Sequence, residues 1–294
     1  MEPAVFGLIA IAAVLHVTWN VLLKTAGDPL AAATASMAIG AVVLVPIVAI
    51  AWWLVGRPPI PPEAFALGAL SGLFEAAYFG FLAAAYRRGD LSVVYPLARG
   101  SATLLAVVFG IVILGERLAP TGVVGVASLI AGFALLQRPW RAFRRGRAGR
   151  AVEPAVAFAL ATGVMIASYS AVDRVGSRVV APWIYAGLIW LSGAAILVAW
   201  SLVRPGRRDP NRAPVQLPRA AVGGVLTITA YMSILFAFSL APLTAVAPLR
   251  ESAVVLASGW GALRLGEATG RREAARRIAA AALVVTGAVL LALH

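Results

Sequence analysis

The chain has 294 residues, 61% hydrophobic and only 13% charged, with a mean hydropathy of +0.90 and a formal net charge of +13. Soluble domains are about 45–50% apolar, so this excess exceeds what one water-soluble core can bury and calls for lipid as the solvent. With no cysteine and two histidines (His16 and His294), the sequence excludes disulfides, thiolate metal sites and a histidine-based metal cluster, and the lack of a GxxxxGK[ST] loop argues against a built-in ATPase motor.

A membrane-crossing helix needs about 20 mostly apolar residues. In chain order the sequence predicts spans at 4–23, 30–54, 64–86, 91–114, 119–137, 154–173, 180–202, 219–240, 243–264 and 275–293. Met1-Glu2-Pro3 supplies no Lys or Arg, so the first span is expected to be retained and not removed as a signal peptide. Gly56-Arg57-Pro58-Pro59 closes the second span, Arg87-Arg88-Gly89-Asp90 the third and Gly115-Glu116-Arg117 the fourth. Trp52, Trp53, Trp140, Trp183 and Trp200 fall at predicted helix ends, where an interfacial aromatic belt belongs. The expected fold is therefore an all-α integral membrane protein.

The basic residues sort by side. The loops after helices 1, 3, 5, 7 and 9 hold 19 of the 25 Lys and Arg residues; the opposite side holds Arg57, Arg117, Arg174 and Arg178. Arg99 and Arg250 lie inside spans. The positive-inside rule makes the Arg-rich side cytoplasmic and puts both termini outside, in a multi-pass protein of a bacterial inner membrane. This placement of charge in short gaps sets topology and offers no groove for nucleic acid.

An internal repeat runs through the chain. Leu91-Ser92-Val93-Val94-Tyr95-Pro96-Leu97 opens the fourth span and Leu243-Thr244-Ala245-Val246-Ala247-Pro248-Leu249 the ninth. Each continues through an arginine (Arg99, Arg250) and a serine (Ser101, Ser252) to Gly115-Glu116 and Gly266-Glu267. Trp19-Asn20 and Lys24 are echoed by Tyr169-Ser170 and Arg174. Five helices separate the copies; an odd number makes the halves insert in opposite senses, as in carriers that face each side in turn. The expected division is one five-helix half at 1–137, a basic cytoplasmic linker at 138–153 and a second half at 154–294.

His16, Trp19, Asn20 and Lys24, with the two Pro-Leu to Gly-Glu blocks, resemble the drug/metabolite transporter superfamily, in particular its EamA-type ten-helix members. The resemblance implies eight helices around a central cavity, with the fifth and tenth packed outside. It also implies export of small organic solutes, with amino-acid exporters, aromatic ones included, as the nearest functional branch.

Ionisable groups within spans face a cavity or a partner. Arg99 and Arg250 sit one in each half of the membrane; they attract a substrate carboxylate or gate the cavity, or else pair with Glu75 and Glu251. Glu75, midway along helix 3 with Tyr78 one turn on, is the candidate protonatable group or an arginine's counter-ion. His16, Asn20 and Lys24 form one polar stripe, with Trp19 beside it. Tyr95 shares a face with Arg99, Tyr169 with Asp173, and Tyr231 with Thr227. With Tyr78, Trp190 and Ser252 these side chains would line an aromatic-walled cavity suited to organic substrates. Pro96 and Pro248 are hinge candidates, a static bend being the alternative. Glu116 and Glu267 are expected to bond locally to backbone or arginine. Gly68-(x)3-Gly72 and Ser128-(x)3-Gly132 are close-packing spacings.

Together these features predict a monomeric secondary transporter, exporting amino acids by alternating access without catalytic residues, metal or cofactor. Exporters of other metabolites or drugs are the alternative; a membrane sensor or embedded enzyme fits less well.

Overall fold

The computed structural model describes residues 1–24, 28–88, 91–137, 154–203, 215–250 and 271–292, and among them every regular element is α-helical. The helices are α1 (Pro3–Lys24), α2 (Pro29–Leu54), α3 (Pro62–Tyr86), α4 (Leu91–Val112), α5 (Pro120–Gln137), α6 (Pro154–Val179), α7 (Pro182–Val203), α8 (Leu217–Leu240), α9 (helical over the described 243–250) and α10 (Arg271–Ala292). Proline opens many of them, where its missing N–H costs nothing and its fixed φ suits the first turn. Asp28 caps α2, its carboxylate accepting from the N–H groups of Leu30 (3.1 Å) and Ala31 (3.3 Å). Gly56 and Arg57, both at positive φ, turn the chain between α2 and α3, where Trp52 Nε1 donates to Pro58 O at 2.8 Å. The Arg57 guanidinium lies 3.5 Å over the Trp53 ring, an anchor suited to the membrane interface.

Where they fall among the described residues, predicted and observed ends agree closely, with one informative exception; the predicted end of the ninth span at 264 lies outside those residues. The sixth span was expected to end at Asp173, yet α6 runs on to Val179, carrying both Asp173 and Arg174. Both charges are satisfied inside the protein, as described below, so neither has to leave the helix for water. Five helices are by themselves long and apolar enough to cross a bilayer. Shorter apolar stretches among the described residues include Pro3–His16 and Leu97–Val112, which contain His16 and Arg99. Those two residues turn towards each other, away from lipid.

The two halves interlock. The most extensive packing joins helices from different halves: α3 with α6, α4 with α6, α1 with α8, α3 with α7, α2 with α7 and α8, and α5 with α10. Replacing each helix by the one five places away turns α3–α6 into α1–α8 and α3–α7 into α2–α8, and leaves α2–α7 and α5–α10 unchanged. That is the contact pattern of two inverted five-helix repeats. Glycines permit the matched approaches: a Cβ on Gly72 of α3 would lie 2.7 Å from Gly193 N of α7, and one on Gly224 of α8 would lie 2.7 Å from Ser36 O of α2. Gly68, Gly72 and Gly132 all face a neighbouring helix, and Ser128 Oγ donates to Leu283 O of α10 at 2.9 Å. These small-residue spacings pack helices, as expected.

Candidate functional site

Polar side chains from most of the helices converge in the interior of this apolar bundle. Asp173 of α6 is 1% exposed, and its carboxylate accepts hydrogen bonds from Ser71 Oγ of α3 (2.5 Å), Tyr185 OH of α7 (3.3 Å) and Tyr231 OH of α8. Three helices are thus tied to one acid. Glu75, one turn along α3 from Ser71, is also buried, and both Tyr231 and Asp173 lie within its electrostatic reach. Arg250 of α9 lies within electrostatic range of both carboxylates. Burying two acids side by side is costly unless protons, cations or hydrogen bonds compensate them.

On the other side of the cluster His16 Nε2 of α1 accepts from Arg99 Nη2 of α4. A guanidinium has no lone pair to offer, so this contact requires a neutral imidazole carrying its proton on Nδ1. Arg250 is also in electrostatic range of His16, and both arginines are in range of Tyr169. Residues that correspond in the two repeats, Arg99 and Arg250, therefore act on one shared interior.

Aromatic rings wall the cluster. Tyr78 meets Tyr169 edge-on at 6.2 Å, Tyr169 meets Tyr231 at 6.1 Å, and Trp190 meets Tyr231 edge-on at 5.1 Å. These four rings come from α3, α6, α8 and α7, so four of the predicted aromatic residues are brought together. Trp19 is placed differently. It is buried against the Gly223 position of α8, between α1 and α8, where it acts as packing. Thr227, expected on the Tyr231 face, gives its hydroxyl to Gly223 O in its own helix. The side chains of Asn20, Lys24, Tyr95 and Pro96, and all of Glu251, Ser252 and Glu267, lie outside the described residues. The backbone at Pro96 and Pro248 is helical, each proline being the sixth residue of its helix.

Ser71 and Tyr185 were not singled out from sequence, and Asp173 only as sharing a face of its helix with Tyr169. Asp173 carried a signal, an acid one turn from Tyr169 in an apolar run. Ser71 and Tyr185 carried none, since what selects them is their proximity to a carboxylate about 100 and 12 residues away along the chain.

A second polar node lies at the end of the bundle where α4 stops. Gly115, at a φ of +66°, turns the chain so that Glu116 reaches across to the other half. Its carboxylate accepts from the N–H groups of Leu243 (2.7 Å) and Thr244 (2.9 Å) at the start of α9 and from Arg174 Nε of α6 (3.3 Å). Arg174 Nη1 also donates to Phe238 O near the end of α8 at 2.5 Å. Glu116 does bond to backbone and to an arginine, but its partners are 58 to 128 residues distant, so the expected local role is corrected.

An interlocked bundle of ten helices in two inverted repeats, with charged and aromatic residues enclosed at its centre, is the fold expected of a membrane carrier, and the family match supplies the class: a membrane transporter of small solutes. The family model for the EamA-like transporter family matches residues 4–138 and 153–293, and the chain belongs to that family. No curated protein matches. Among solved structures 29 chains match, including one titled only "Crystal structure of protein", with a TM-score of 0.69 and 23% identity over 99% of this chain and 97% of that one. That likeness shows the fold.

Proposed function

We propose that the protein exports amino acids with apolar or aromatic side chains by alternating access, the two repeats rocking about the central cluster. One observation carries this reading: a single aromatic-walled interior holds two arginines, Arg99 and Arg250, and two acids, Glu75 and Asp173. A zwitterion has a charge for each kind. Its carboxylate matches the guanidinium groups and its ammonium matches the acids, with the ring faces of Tyr78, Tyr169, Tyr231 and Trp190 favouring the cation and the organic side chain. His16 holds Arg99 in place. Pro96 and Pro248, at equivalent positions of α4 and α9, serve as the points where those helices bend as access switches. The protein works as a monomer of two repeats, 1–137 and 154–294, joined by the basic 138–153 linker, in a bacterial inner membrane with both termini outside.

Counterflow into proteoliposomes tests this with three related solutes: an aromatic amino acid, the amine left after its decarboxylation and the acid left after its deamination. The amino acid should be taken up at least tenfold faster than either fragment. Arg99→Ala and Arg250→Ala should abolish that preference over the amine. Equal uptake of the amine by the unaltered protein would favour the second reading, an exporter of other metabolites or drugs.

A further inference from the structure

We infer that Glu116 and Arg174 form the latch that closes the cavity at the α4–α9 end of the bundle, and that breaking it is what opens the site to that side. This inference rests on the alternating-access reading, but not on the identity of the substrate.

The node ties the segment just after α4, through Glu116, to three helices of the other half: α6 through Arg174, α8 through Phe238 O and α9 through the N–H groups of Leu243 and Thr244. Both carboxylate oxygens are engaged. The two side chains are only 10% and 13% exposed, Glu116 and Arg174 respectively, so water competes little for these bonds. The carboxylate also sits against the positive end of the α9 dipole. Close approach is built in: a Cβ on Gly110 of α4 would lie 2.6 Å from Thr244 Cγ2 and 2.7 Å from Glu116 Oε2, so a larger residue there would hold the ends apart.

Glu116 stands in the short connection between α4 and α5, and its contacts run directly to helices of the other half. If one repeat rotates against the other, the carboxylate, the guanidinium and the first turn of α9 must separate together. A central site enclosed at this end stays closed while the node holds. Arg174 follows Asp173 directly in α6, so the same turn of helix carries a tie to the central cluster and a tie to the latch. Movement of α6 therefore couples the two.

The chain contains no cysteine, so a single introduced thiol is the only target for a thiol reagent. Thr244 is fully buried against Gly110, and Thr244→Cys reports separation of α4 from α9. Ala159, fully buried near the opposite end of α6, provides a control through Ala159→Cys. In vesicles, the rate of labelling of Thr244→Cys by a membrane-impermeant methanethiosulfonate should rise about tenfold or more when Glu116→Gln or Arg174→Gln is added. The rise should come only from the side bearing that end, and the Ala159→Cys rate should stay within twofold. An unchanged Thr244→Cys rate overturns the latch, and so does an equal rise at Ala159→Cys, which would mean general loosening. Should Glu116→Gln fail to fold, Arg174→Lys decides: it keeps the charge but loses the second prong, and an unchanged rate there overturns the proposal equally. None of these rates depends on which solute is carried, so they stand or fall apart from the counterflow result.

Discussion

A Gly→Ala substitution should have opposite signs at two positions only two turns apart on α3. At Gly72 the added Cβ would lie 2.2 Å from Ser192 Oγ, 2.7 Å from Gly193 N and 3.1 Å from Ile189 O. Ser192 can rotate, at the expense of the bond its hydroxyl donates to Gly68 O at 2.9 Å. The α7 backbone at Gly193 cannot rotate away, so α3 and α7 must move apart. Overpacking of this kind costs about 1–3 kcal/mol. At Gly80 a Cβ meets nothing within 4 Å. There the substitution only removes unfolded-state freedom, worth about 0.5–1 kcal/mol in favour of the fold. With a sensitivity of about 2–4 °C per kcal/mol, Gly72→Ala should lower the midpoint of thermal unfolding by about 2–12 °C and Gly80→Ala should raise it by about 1–4 °C. Intrinsic fluorescence from the eight tryptophans, followed in detergent, reads both. If Gly72→Ala unfolds at or above the temperature of the unaltered protein, the close α3–α7 contact is refuted as a constraint.

The hydroxyls around Asp173 should matter for stability one by one. Tyr185→Phe leaves the carboxylate with one donor fewer in the same packed space, at a cost of about 1–3 kcal/mol, so detergent unfolding should come several degrees earlier; no change would mean the 3.3 Å contact contributes nothing. Tags placed at both ends of the chain should be accessible from the same, non-cytoplasmic face, and protection of just one of them would be incompatible with an even number of crossings.

What the sequence determined was the solvent, the helices and the repeat. Apolar runs long enough for lipid, bounded by Gly, Pro and Arg, set the helix positions because an unpaired backbone group in hydrocarbon is too costly to allow anything but a helix. The matched Pro, Arg, Ser and Gly-Glu positions, spaced by an odd number of helices, carried the inverted duplication that the inter-half packing displays. Arg99, Arg250, Glu75 and the tyrosines were legible as interior residues because a charge or hydroxyl in an apolar run has to turn away from lipid. The tertiary structure alone decided the partners. That Asp173 draws hydroxyls from α3, α7 and α8, that Trp19 packs on Gly223, and that Glu116 reaches into the other half all depend on distances across the bundle. Helical periodicity fixes which face a residue occupies; it carries no information on which distant helix that face will meet, because van der Waals packing and hydrogen bonding between helices are made only after the helices exist.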